Sequence, residues 1–149
     1  MDIPEIDGVD YRLVEYEPGR DIETAAERRG VAVERILKTM VVRVGQGRYV
    51  LVMVPGDQLI EWKALRNLLG ERRLSLADAD EAYAATGYHR GTITPLGAAG
   101  DWPLVIEATI EGTGEVSIGS GTEGVAIHLD VDDLIAITGA AVAPVSKAR

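Results

Sequence analysis

Two runs rich in aliphatic and β-branched residues, 39–44 and 48–54, stand apart by only Gly45-Gln46-Gly47. Runs of this kind form strands, and a short Gly-rich connection folds one back on the other as a hairpin. The second run, Arg48-Tyr49-Val50-Leu51-Val52-Met53-Val54, does not alternate with polar residues. It is therefore expected to be buried on both faces. Any fold for this chain must cover that strand from two sides.

The remaining elements follow from periodicity and punctuation. Residues 11–16 read as a first, edge-like strand ended by Pro18-Gly19. Asp21 is placed to cap a short helix running to Arg29, with Gly30 as its stop, and a turn over 33–37 leads into Lys38. Pro55-Gly56-Asp57 breaks the hairpin. Leu59, Trp62, Leu65, Leu68 and Leu69 then recur at helical spacing, predicting a helix over 58–69 stopped by Gly70. A further helix follows Leu76, capped by Asp78 and ending at Thr86-Gly87. Residues 104–111 alternate cleanly and predict a half-buried strand. Two more strands, 115–118 and 125–129, flank a Gly-rich turn. Asp130 to Asp133 cap a helix over 134–137, and residues 140–145 are expected to add a last strand. Strand pairs without βαβ alternation, with helices inserted between them, predict a single α+β domain over 1–149 with a mixed, barrel-like sheet and flanking helices.

Composition removes several function classes. The chain has no Cys, which excludes disulfides, thiolate nucleophiles and Cys-ligated zinc. Phe is absent too, so aliphatic residues must fill the core. No apolar run reaches the roughly 20 residues that span a bilayer. The start, Met1-Asp2-Ile3-Pro4-Glu5, is acidic and lacks a hydrophobic signal region, so a cytoplasmic location and no membrane partner are expected. A net charge of −9 argues against coating nucleic acid through bulk electrostatics, and no DNA partner is expected. Basic residues do cluster, at Arg28, Arg29, Arg35, Lys38 and Arg43 and again at Lys63, Arg66, Arg72 and Arg73. The plainest account of each cluster is a solvated face.

The chemistry-bearing stretch is Thr86-Gly87-Tyr88-His89-Arg90-Gly91-Thr92-Ile93-Thr94-Pro95-Leu96-Gly97. Three glycines and a proline there suit a loop whose backbone amides approach a ligand, although many such loops are simple turns. Gly119-Ser120-Gly121-Thr122-Glu123-Gly124 matches a dinucleotide-binding pattern letter for letter. A strand follows it rather than a helix, so no helix N-terminus is available for a pyrophosphate. A kinase-type reading fails as well, since too little chain remains for a catalytic core. What survives is a Gly-rich hairpin turn. Of the two histidines, His128 falls opposite Val125, Ile127 and Leu129 and is expected on a solvent face; His89 lies in the loop. Neither a metal nor a cofactor is expected, and no Gly-x-Ser-x-Gly elbow or Ser-His-Asp set is present. Lys38, leading straight into a buried strand, is either a snorkelling strand-end lysine or a cation for a phosphate or oxyanion.

Three segments taken in order resemble one family. They are Leu37-Lys38-Thr39-Met40, Thr86-Gly87-Tyr88 through Gly91 to Thr94-Pro95-Leu96-Gly97, and the Ser120-Gly121 turn with Gly124, the Val-Ala-Ile-His-Leu strand and Asp132-Asp133-Leu134. The chain resembles the YbaK/prolyl-tRNA-synthetase-associated domains, the family of aminoacyl-tRNA editing domains, from about Tyr11 to the C-terminus. The resemblance implies hydrolysis, in trans, of the ester of a mischarged tRNA, of the Cys- or Ala-tRNA(Pro) type. It implies catalytic roles for Lys38, Gly91 and Gly121, with the amides of Gly91 and Gly121 lining the amino-acid pocket. It also implies substrate binding by Thr39, Gly87, Tyr88, His89, Thr92, Ile93, Thr94, Pro95, Gly97, Glu107, Gly119 and Ser120. The expected partner is the acceptor end of aminoacyl-tRNA, with an aminoacyl-tRNA synthetase as a further one. Met40 stands where the family usually has Leu, and Thr122-Glu123 where many members carry a basic residue. That departure keeps two alternatives open: a non-catalytic module binding a nucleotide or aminoacyl-tRNA in the same cleft, and an esterase for small activated esters.

Overall fold

In the computed structural model, which describes residues 3–149, the second apolar run is the centre of the molecule. Val50, Val52 and Val54 face one apolar cluster and Leu51 and Met53 the other, none more than 5% exposed. Met1 and Asp2, from the acidic start, lie outside the described residues. In chain order the first elements are β1 (Tyr11–Glu15), α1 (Ile22–Arg29), β2 (Leu37–Gly45), β3 (Arg48–Pro55), β4 (Gln58–Ile60) and α2 (Trp62–Leu69). Then come β5 (Ser75–Leu76), α3 (Ala79–Thr86), β6 (Leu104–Glu107), β7 (Glu115–Gly119) and β8 (Val125–Asp130). α4 (Val131–Thr138), β9 (Ala141–Ala143) and β10 (Ser146–Ala148) close the chain.

The sheet is mixed and the class α+β, as expected. One five-stranded sheet runs β5-β2-β3-β6-β9, antiparallel around β2 and parallel from β3 to β9. A three-stranded antiparallel sheet runs β1-β8-β7, and β4 pairs with β10. A lone parallel bridge between Ile36 and Ser117 joins the two larger sheets, which do not close into a barrel. One core layer lies between them, with Leu37, Val41, Ile106, Ile118 and Ile127 among its members; the other packs Leu65 of α2, Ile60 and Val145 on the far face.

The caps form as their residue types require. Asp21 Oδ1 accepts from Thr24 N at 2.7 Å and Asp78 Oδ1 from Glu81 N at 2.8 Å. Three expectations need correction. The helix predicted from residue 58 begins at Trp62, because residues 58–60 pair with β10, a strand from the far end of the chain. The strand predicted over 104–111 stops at Glu107 and passes into a 3₁₀ turn, Ala108–Ile110. It is buried on both faces, since β3 and β9 flank it and both core layers cover it. His128, expected in solvent, is 1% exposed. It does point away from Ile127 and Leu129, but the Arg12–Glu115 ion pair and Arg29 crowd that face.

Candidate active site

β2 pairs with β3 along its length, while its other edge is covered only at the two ends. Ile36 bridges Ser117, and Val42 and Arg43 pair with β5. Between these ends residues 37–41 line an open cleft of about 920 Å³. The segment entering α1, residues 76–79, the 89–93 part of the loop and the Gly119–Gly121 turn form its other walls. Strand alternation decides what the edge presents. Val41 O accepts from Ala77 N at 3.0 Å, and Leu51 N donates to Pro103 O at 2.9 Å, so this pair turns its backbone groups out of the β2–β3 ladder. Two residues back, Thr39 does the same, and its N–H and C=O face the cleft. Thr39 Oγ1 is buried and has no hydrogen-bond partner among the described residues.

Lys38 lines the cleft, half-buried, and its Nζ donates to Gln58 O at 2.8 Å. Burial pushes the ammonium below the usual lysine range, the Arg149 charge adds to this, and Asp57 opposes it. The loop and the Gly-rich turn are fitted to each other. A Cβ on Gly119 would stand 2.6 Å from Ile93 O, and one on Gly121 would stand 2.4 Å from Tyr88 Cε1. Both positions must be Gly for the loop to close against the turn. The Gly121 amide donates to Thr92 O at 2.8 Å. It is therefore not directed at a ligand as expected, and what Gly121 supplies is shape. Gly91, at φ +88°, faces open space and its N–H has no partner among the described residues. His89 stacks on Tyr83 at 4.4 Å between ring centroids.

Of the residues singled out in the sequence, Lys38, Thr39, His89, Gly91, Thr92, Ile93, Gly119 and Gly121 meet at this cleft. Gly87, Tyr88, Thr94, Pro95, Gly97 and Ser120 are not among its lining residues. Gly87 ends α3 in the left-handed conformation, and Tyr88 OH donates to Leu96 O at 2.7 Å. Thr94 is fully buried, and Ser120 Oγ donates to Val125 O at 2.6 Å. Glu107 also stands away from the lining: its Oε1 accepts from Val145 N, Ser146 N and Ser146 Oγ, and its Oε2 from Thr109 N. Burial works against this carboxylate, but the hydrogen bonds outweigh it and hold its pKa below the usual range.

Sequence reasoning missed Tyr16 and Arg29. Arg29 donates from Nη1 to Ser117 Oγ at 3.2 Å and from Nη2 to Tyr16 OH at 2.8 Å, with its guanidinium carbon 4.7 Å from the centre of the Tyr16 ring. Its helical neighbour Arg28 reaches outward to the carbonyls of Glu17 and Pro18. The basic cluster was visible in the sequence, but only the docking of α1 separates an inward arginine from a solvated one. Among the described residues no group of three or more His, Cys, Asp and Glu side chains is placed to hold a metal ion.

The structure defines an α+β domain in which an uncovered stretch of strand edge, a loop and a glycine turn fitted to each other wall one open cleft. The chain belongs to the aminoacyl-tRNA editing domain family, whose pattern matches residues 16–137. It is similar to the prolyl-tRNA editing protein ProX of Acetoanaerobium sticklandii, 26% identical over 131 residues that cover 85% of this chain and 80% of that one. It is also similar to the multifunctional Ser/Thr-tRNA deacylase ProXp-y of Escherichia coli, 28% identical over 88% of this chain and 81% of the relative. The crystal structure of the hypothetical protein APE2540 superposes with a TM-score of 0.86 at 30% identity, covering 93% of this chain and 92% of that one.

Proposed function

We propose that this protein is an aminoacyl-tRNA deacylase that hydrolyses, in trans, the ester of a mischarged tRNA. The observation that carries the reading is the convergence of Lys38, Thr39 and the unpaired Gly91 amide on one cleft beside an open strand edge. An aminoacyl ester is already activated, so its hydrolysis asks for positioning and charge stabilisation rather than a protein nucleophile. Water attacks the ester carbonyl, the bond to the ribose oxygen breaks, and the proton passes to that oxygen. Free amino acid and tRNA leave. Gly91 N–H supplies a donor for the developing oxyanion. Lys38, released from Gln58 O, holds the ester carbonyl or the terminal adenosine phosphate. The Thr39 N–H and C=O set the orientation of the aminoacyl group. Such work belongs where charged tRNA is, in the cytoplasm.

The proposed substrates are Cys- or Ala-charged tRNA(Pro), and a synthetase is the proposed source of added affinity for so acidic a chain. One observation favours the binding-module reading instead: the Lys38 ammonium and the Gly121 amide both have internal partners. A deacylation screen over a panel of mischarged tRNAs, run with Lys38→Ala, separates the two. Loss of one charged species with wild type, and a reduction of at least about a hundredfold in the variant, is the expected result. Binding of charged tRNA without turnover on any species would replace the enzyme with the module.

A further inference from the structure

Arg29 is a cation in the cleft wall that pairs with no carboxylate among the described residues. The ion pairs among the described residues join Arg12, Arg43, Arg48 and Arg149 to glutamates, His128 Nδ1 lies 3.5 Å from Glu115 Oε1, and Arg29 is in none of these contacts. Its hydrogen-bond partners are instead a phenol and a serine hydroxyl. A guanidinium has five N–H donors. Two are assigned here, and Nε is shielded from solvent without a partner. Partly desolvating a charge on neutral partners is unfavourable unless an opposite charge arrives. The chain has 24 acidic residues to place here, yet, of the lining acids, Asp21 and Asp78 serve as helix caps and Glu123 makes no ion pair with Arg29. The group is also held in place before any ligand comes, stacked on Tyr16 and fixed through two nitrogens. Little side-chain freedom is left to lose on binding.

This rests on the editing reading above, and the chemistry of that substrate selects the anion. In an aminoacyl ester the carboxyl is consumed and the amino group is cationic. The negative charges left at a charged acceptor end are its phosphodiesters. We infer that Arg29 is a positioning residue that binds a backbone phosphate of the acceptor end and so sets the ester over Thr39 and Gly91. Arginine suits this role because its planar fork matches phosphate geometry.

The test compares two substrates with Arg29→Gln: mischarged tRNA and the same amino acid esterified to adenosine, which has no phosphate. The expected result is a rise in KM for tRNA of about tenfold or more with kcat little changed, as loss of a binding contact predicts. The loss in kcat/KM for aminoacyl-adenosine should be at least about tenfold smaller, with Arg29→Lys recovering part of the tRNA defect. Ser117→Ala, which removes one hold on the guanidinium, should shift KM in the same direction by less. Equal losses on both substrates, or none on either, would overturn the inference. If wild type turns over neither substrate the editing reading itself fails. Arg29 is then judged by binding of an RNA oligonucleotide ending in CCA, where equal affinity of wild type and Arg29→Gln counts against it.

Discussion

At Thr39 a backbone N–H and C=O turned out of the ladder face the cleft, and beside them Oγ1 is buried without a hydrogen-bond partner among the described residues. Buried polar groups are normally paired, and leaving one unpaired is unfavourable by about 1–3 kcal/mol. Such a concentration beside an unpaired strand edge is what a ligand-recognising surface looks like before the ligand arrives. His128 is the opposite case, a buried group without a ligand to meet. Burial pushes its pKa below the usual range, Arg12 and Arg29 add to this, and Glu115 opposes it. The folded protein then binds fewer protons at His128 than the unfolded chain does. The contribution of His128 to stability is expected to fall as pH drops below about 6.5, the ordinary histidine value, with a slope of at most about 1.4 kcal/mol per pH unit. Urea unfolding between pH 7.5 and 5.5 measures this. His128→Gln should flatten the slope across that window, above the range where Glu115 and the other carboxylates begin to protonate. An unchanged slope in the variant would remove His128 as its cause.

Among the elements, β6 is tied to the C-terminal segment by one carboxylate. Glu107 Oε1 gathers Val145 N, Ser146 N and Ser146 Oγ, and β10 in turn pairs with β4. Glu107→Ala leaves those donors without their acceptor and should destabilise the fold by about 2–4 kcal/mol. Hydrogen exchange at Val145 and Ser146 should quicken selectively, and activity per folded molecule should hold, because Glu107 does not line the cleft. The same stitch explains the misplaced start of α2. Residues 58–60 read as the first turn of an amphipathic helix, and nothing local says that a strand nearly ninety residues later, β10, will capture them. Elements with their punctuation built in were legible: the β2–β3 hairpin, the capped starts of α1 and α3, and the glycine ends of α1, α2 and α3.

For the whole molecule, a net charge of −9 surrounds a cleft whose lining includes Arg20, Arg29, Lys38 and Arg90. Each phosphate contact on a single strand adds about 0.7 to the salt slope, so four cations cap it near 3. Plotting log kcat/KM for charged tRNA against log salt should give a slope no steeper than that. A steeper one would mean that surfaces beyond the cleft carry the RNA. The ordered motifs Lys38-Thr39, 86–97 and 119–124 were enough to place the chain in its family and to point to part of the cleft lining, because glycine, proline and a strand-leading lysine act through local backbone geometry. Whether a given amide or cation is free was decided only by tertiary structure. The Gly121 N–H is taken by Thr92, Glu107 turns to the C-terminal strand, His128 is roofed over, and Arg29 points inward while Arg28 points out. Each of those outcomes depends on partners distant in sequence, so composition, period and spacing hold no record of them.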